Sequence, residues 1–111
     1  MGDLKRNRKI VKELIEEYGS YKPSVGDIIV EVVMDDEKGH YELMHSGWAG
    51  KNRVHGSVIH IDLVDDKVWI QYDGTSDAIA NRLVEAGIPK DHIVLAFQSP
   101  AMRKYTDFAV A

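Results

Sequence analysis

The chain has 111 residues, enough for one domain and too few for two, and its 44% hydrophobic and 29% charged residues are those of a globular protein. It has no cysteine, which excludes a disulfide framework, a thiolate nucleophile and any Cys-based zinc or iron–sulfur centre. The net charge is −4, yet Lys5, Arg6, Arg8, Lys9 and Lys12 face only Asp3 within residues 1–12, so the remainder is strongly acidic and opposes direct binding to duplex DNA.

Leu4, Val11, Leu14, Ile15 and Tyr18 recur on one side of a 3.6-residue period, which predicts an amphipathic helix over about residues 3–18. Its basic start and acidic end (Glu13, Glu16, Glu17) oppose the helix dipole, so tertiary packing or a partner must compensate. Gly19-Ser20 stops it, and Tyr21-Lys22-Pro23-Ser24-Val25-Gly26 reads as a loop. From Asp27 the period becomes two. Ile28–Asp35 and His40–Gly47 form one expected hairpin across Asp36-Glu37-Lys38-Gly39, and Asn52–Val64 and Lys67–Asp73 form a second across Asp65-Asp66. Pairing across the second turn aligns Leu63 with Val68, Ile61 with Ile70 and Ile59 with Tyr72. Val30, Val32, Met34, Tyr41 and Leu43 complete the apolar side of a four-stranded antiparallel sheet.

A second helix is expected from about Asp77 to Ala86, with Thr75 or Ser76 as N-cap and Gly87 and Pro89 as the stop. Ile93–Phe97 has the length of a buried strand, and Ser99-Pro100 opens a short helix through about Lys104. The apolar end, Phe108-Ala109-Val110-Ala111, is expected to dock. The fold class is therefore α+β: an N-terminal helix, a four-stranded antiparallel sheet of two hairpins, then a helix, a short strand and a short C-terminal helix, as one domain over residues 1–111. No run approaches the roughly 20 apolar residues of a membrane helix. No signal-peptide core follows Met1-Gly2-Asp3-Leu4-Lys5-Arg6, and Arg6 stands where an acylated glycine terminus would want Ser or Thr, so a cytoplasmic location is expected.

Several strings stand in a distinctive order: Tyr21-Lys22-Pro23, His40-Tyr41-Glu42-Leu43 leading to Gly47-Trp48, Val58-Ile59-His60-Ile61-Asp62, and Val68-Trp69-Ile70-Gln71. They continue through Asp73-Gly74-Thr75, Gly87-Ile88-Pro89-Lys90, Ile93-Val94-Leu95-Ala96-Phe97 and Phe108-Ala109-Val110. In this order the chain resembles the XisI family, the fdxN-element excision-controlling factors, from the first helix to the last residue. The resemblance implies a regulatory role beside a site-specific recombinase in programmed DNA-element excision in nitrogen-fixing filamentous bacteria. It also implies an XisH-like partner protein. It brings no catalytic or ligand residue with it.

The second face of the sheet carries the most informative chemistry. Period-two counting places Ile29, Glu31, Val33, Glu42, Met44, Val58, His60, Asp62, Trp69 and Gln71 there, too apolar for plain solvent surface and too polar for a core. A central tryptophan among polar groups suits an interface, so Met44, Val58, His60, Asp62, Trp69 and Gln71 are the candidate contact residues. The competing reading is that the C-terminal tail and final helix cover this face. Lys5, Arg6, Arg8, Lys9 and Lys12 are candidate auxiliary basic contacts, or simply a solvated helix face.

His60 and Asp62 could form a carboxylate-oriented imidazole for general-base or metal chemistry, which makes a small hydrolase or nuclease the alternative function. A zinc site needs three or four ligands, and two are visible; Glu31 and Glu42 are further candidates whose placement depends on sheet geometry. The spacings of His40, His45, His55 and His92 match no metal motif, so a structural hydrogen-bonded pair is favoured and no metal or cofactor is expected. Trp48 before Lys51 and Arg53 reads as a core or rim residue sooner than a base-stacking platform. Asp73-Gly74-Thr75 is an ordinary strand-to-helix turn, far short of a P-loop. No serine carries a nucleophile motif. The expectation is a non-enzymatic accessory protein acting through protein contacts with an XisH-like protein, a recombinase complex or both, with homodimerisation left open.

Overall fold

The computed structural model of the protein describes residues 2–24 and 26–111, so Val25 of the expected loop and Met1 lie outside the described residues. Helix α1 spans Gly2–Gly19 and buries Val11, Leu14 and Ile15, the stripe that its sequence period sets. The adverse charge at its C-terminal end finds a cation from elsewhere: Arg82 Nη2 lies 2.7 Å from Glu17 Oε2. The same guanidinium donates to the Tyr18 hydroxyl at 3.0 Å, and that hydroxyl donates to Asp77 Oδ2 at 2.6 Å.

Strands β1 (Asp27–Asp35), β2 (His40–Ala49), β3 (Asn52–Val64) and β4 (Lys67–Asp73) form an antiparallel meander, as the alternation predicts. Asp65 (φ 50°) and Asp66 (φ 66°) both lie in the left-handed region, which fits the twist of a two-residue hairpin turn. Gly47 is required by close approach: a Cβ there would lie 2.0 Å from the Asp27 carbonyl oxygen, with φ at 148°.

The sheet has five strands, not four. Strand β5 (Ile93–Leu95) joins its edge beside β4 and runs parallel to it, with Val68 opposite Ile93 and Ile70 opposite Leu95. The order is β1-β2-β3-β4-β5 and the sheet is mixed. A parallel neighbour needs a crossover, and helix α2 (Ile79–Glu85) with a 3₁₀ turn at Lys90–His92 supplies it. The expected Ile59–Tyr72 pairing is also corrected. An extra residue in β4 beyond Ile70 makes a bulge, so His60 faces Tyr72 and Ile59 faces Asp73, while Ile61–Ile70 and Leu63–Val68 stand as expected.

Neither Thr75 nor Ser76 caps α2. The residue before the helix is Ala78, in the left-handed region at φ 53°, and the cap comes from Asp73. Asp73 Oδ2 accepts from the Ile79 N–H at 2.9 Å, and Oδ1 accepts from the N–H and hydroxyl of Thr75. The stop is as expected: Gly87 N–H donates to Val84 O and Ile88 N–H to Leu83 O, with Gly87 at φ 119°.

The core gathers Val11, Leu14 and Ile15 of α1, Tyr41 and Leu43 of β2, Ile59 and Ile61 of β3, Val68 and Ile70 of β4, and Ile79 and Leu83 of α2. Val30 and Met34 of β1 pack against it, whereas Val32 is exposed because β1 is an edge strand. Helix α3 is one turn, Pro100–Arg103. The C-terminal segment docks as anticipated: Phe108 packs on the core, and the Ala109 N–H donates to the Ile93 carbonyl in a parallel bridge beside Val94. Among the described residues no helix is long and apolar enough to cross a membrane.

Candidate functional site

The side of the sheet away from the core is a patch of half-buried side chains. Val68 and Ile70 point into the core, so strand alternation sends Trp69 and Gln71 to the other face. In β3, buried Ile59 and Ile61 likewise alternate with His60 and Asp62. Asp62 is directly opposite Trp69 on β4 and opposite His40 on β2, and His60 is opposite Glu42. These cross-strand neighbours form one polar network. Asp62 Oδ1 accepts from His60 Nε2 and His40 Nδ1, each at 3.0 Å, while Asp62 Oδ2 accepts from Gln71 Nε2 at 3.3 Å. The other nitrogen of His40 lies 3.2 Å from Glu42 Oε1, and the His40 and His60 rings meet edge to face at 4.5 Å between centroids.

His40 is the member that sequence reasoning missed. The Gly50-Lys51 turn pairs Ala49 with Asn52, and counting back from it sets His40 against Ile61, a core residue. An extra residue at Val58, between the Leu43–Ile59 and Met44–Ser57 pairs, shifts the register by one and brings Asp62 opposite His40. A bulge of this kind leaves little sequence signal beyond the nearby Gly56. Val58 itself packs against the core cluster, and Met44 is half-buried one step along β2.

Trp69 is not bare. The Arg103 guanidinium of α3 sits over its ring, 5.3 Å from the centroid, and is held by the carbonyls of Gln98 (3.1 Å from Nε) and Ala96 (3.4 Å from Nη2). The final helix therefore covers the tryptophan from within the chain. Trp69 Nε1 is buried with no hydrogen-bond partner among the described residues. Farther along the face Ile29 is 66% exposed, and Glu31 is exposed beside it. Trp48 is 51% exposed and stacks with Arg53 at the rim.

The basic stretch of α1 is largely engaged inside the chain. Arg6 pairs with Asp3 (3.8 Å) and donates to Asn7, the one fully buried polar residue among those described, whose amide meets His92 Nδ1 at 3.4 Å. Arg8 Nε donates to the Tyr41 hydroxyl at 3.1 Å, and that hydroxyl donates to Asp36 Oδ1 at 2.7 Å. Lys12 pairs with Asp36 at 3.0 Å and Lys9 with Glu13 at 3.9 Å. The hydrogen bond from Tyr41, reinforced by Lys12, holds the Asp36 carboxyl below its ordinary range. Burial, together with that bond, pushes the Tyr41 phenol up. Lys5 has no ion-pair partner among the described residues.

A family model described as XisI protein matches residues 1–110. The chain belongs to the XisI family. A XisI-like protein from Anabaena variabilis ATCC 29413, solved at 1.30 Å, is 41% identical to this XisI-family chain, with a TM-score of 0.91 over 97% of this chain and 99% of that one. The fdxN element excision controlling factor XisI from the same organism, solved at 2.19 Å, is 31% identical, with a TM-score of 0.85 over 98% of this chain and 99% of that one. No curated protein matches the XisI-family chain.

Proposed function

We propose that this protein is an accessory factor in the excision of a DNA element, working beside a site-specific recombinase through contacts with an XisH-like protein. The observation that carries this reading is end-to-end similarity to a protein described as the fdxN element excision controlling factor XisI, at 31% identity over nearly the whole of both chains. The contact surface is the outer sheet face around Met44, His60, Asp62 and Gln71, beside Trp69, which Arg103 of the final helix already covers. The disposition of charge supports protein contact over direct duplex binding. Four of the five basic residues near the N-terminus are engaged with Asp3, Glu13, Asp36 or Tyr41, and the rest of the chain is acidic.

The test is co-purification with an XisH-type protein, using Gln71→Arg and Met44→Asp, both half-buried on that face, as disruptive variants and circular dichroism to verify folding. A stable complex that both variants weaken supports the proposal. Absence of any complex refutes the partner, and complex formation at wild-type yield with both folded variants refutes the surface.

A further inference from the structure

The network around Asp62 has the chemistry and geometry of a metal-binding site. The ligand atoms of His40, His60 and Asp62 all lie within 4.8 Å of one another, and both imidazoles aim a nitrogen at the same carboxylate oxygen. We propose that His40 Nδ1, His60 Nε2 and Asp62 Oδ1 bind one divalent transition-metal ion of the zinc class.

The donor set selects the ion. Two imidazoles and one carboxylate suit Zn²⁺ and its first-row neighbours, whereas Mg²⁺ and Ca²⁺ take oxygen ligands throughout. Two of the three ligand separations are close to what a zinc ion needs, and the third, between the two imidazole nitrogens, is within 4.8 Å. Ligands about 2.0–2.1 Å from a tetrahedral zinc stand roughly 3.3 Å from one another. The 3.0 Å separations of both nitrogens from Asp62 Oδ1 need to widen by only a few tenths of an ångström. Each metal–nitrogen bond replaces one N–H donor that would otherwise be spent on Asp62; the ring proton then sits on His40 Nε2, facing Glu42 Oε1, and on His60 Nδ1, in a side chain 26% exposed.

Outer partners are already in place. A ligating histidine ordinarily gives its second nitrogen to a carboxylate or carbonyl, which fixes ring and tautomer. His40 Nε2 meets Glu42 Oε1 at 3.2 Å in that role. Gln71 Nε2 holds Asp62 Oδ2 at 3.3 Å, turning the other oxygen toward the histidines. The charges of Asp62 and Glu42 together balance a divalent ion. The ligands stand on paired strands whose intervening residues, Tyr41 and Ile61, are buried, so the frame is rigid. The side chains of His40, His60 and Asp62 are 35%, 26% and 24% exposed, which leaves the fourth coordination position accessible to water or to a ligand atom of a bound protein. The proposal stands whether or not the excision role does.

The experiment uses tag-free, chelator-dialysed full-length protein titrated with Zn²⁺ by calorimetry, and with Co²⁺ followed by its visible absorption. One ion per chain is expected, with the intense Co²⁺ bands of a tetrahedral site. His60→Gln and Asp62→Asn should each weaken Zn²⁺ binding by at least about 100-fold, and Glu42→Gln by about 10- to 100-fold as an outer-partner change. His55→Gln, an exposed histidine on the same strand, should leave the titration unchanged. His40→Gln is the reserve variant if circular dichroism shows that His60→Gln does not fold. Failure of the folded wild type to bind either ion refutes the site. So does Zn²⁺ binding that survives the combined loss of His60 and Asp62, or that is lost in His55→Gln.

Discussion

Removing the guanidinium of Arg103 should uncover Trp69, and the cost can be worked out from the contacts. The cation lies 5.3 Å from the centroid of a half-buried indole, an arrangement worth about 1 kcal/mol. Its Nε donates to the Gln98 carbonyl at 3.1 Å, and a hydrogen bond from a charged donor in a half-buried setting adds about another 1 kcal/mol. The 3.4 Å contact to Ala96 is too long to count for much. Arg103→Ala is therefore expected to destabilise the protein by about 2 kcal/mol. Arg103→Lys keeps a positive charge near the ring but loses the planar fork that reaches the carbonyl, and should cost about 1 kcal/mol. Urea unfolding at neutral pH reads both values, since the midpoint falls by roughly 1–2 M for 2 kcal/mol at the slope of a domain this size. In a Trp48→Phe background, which removes the other, half-exposed indole, Arg103→Ala should also red-shift the folded-state emission. The reasoning fails if both variants unfold within about 0.3 kcal/mol of wild type, or if the alanine variant leaves the emission where it was.

Further outcomes are expected elsewhere in the chain. Asp73→Ala removes the acceptor for the Ile79 and Thr75 N–H groups and should cost about 1–2 kcal/mol in urea unfolding, with Asp73→Asn recovering part of it. Ala78→Gly relieves a left-handed alanine (φ 53°) and should raise stability by about 0.5–1 kcal/mol in the same assay; a loss would show that the strain is not real. The Tyr18 phenol is pushed up to about 12, first by burial and then by its bond to Asp77. Because its folded-state value lies above the unfolded one near 10, the neutral hydroxyl stabilises the fold fully below pH 10, and that contribution fades as pH rises toward 12. After allowance for solvent screening at this edge of the molecule, the contribution is about 1 kcal/mol. The stability gap between wild type and Tyr18→Phe should thus be constant from pH 7 to 9 and close between about pH 10 and 12.

Local pattern carried most of the fold and little of the register. Strand alternation marks β1 to β4 because one side is packed and the other half-covered, and the stripe of Val11, Leu14 and Ile15 marks α1 for the same reason. Strand β5 was legible as a short apolar strand but not as a neighbour of β4, because three residues carry no information about which edge they will join. The Asp73 cap escaped because it acts across six positions, through a loop that only the folded chain closes. Of the candidate site, His60, Asp62, Trp69 and Gln71 share a face as period-two counting predicts. His40 shares that face by the same alternation as Glu42 and Met44, but its pairing with Asp62 does not follow from counting, since the bulge at Val58 decides it. The cover over Trp69 depends on where one turn of helix lands.

The parallel edge has a consequence for how the chain assembles. Strands β1 to β4 close through turns of two to four residues, so each can zip onto the last at little entropic cost. Ile93 cannot reach Val68 until the chain has travelled through α2, and Ala109 cannot bridge Val94 until that has happened. The long-range seam therefore forms late, and the turn that brings Arg103 over the indole is latched by the last segment to settle. That last segment is held by one bridge and the packing of Phe108, so its backbone amides are expected to exchange with deuterium faster than those of the meander beneath it.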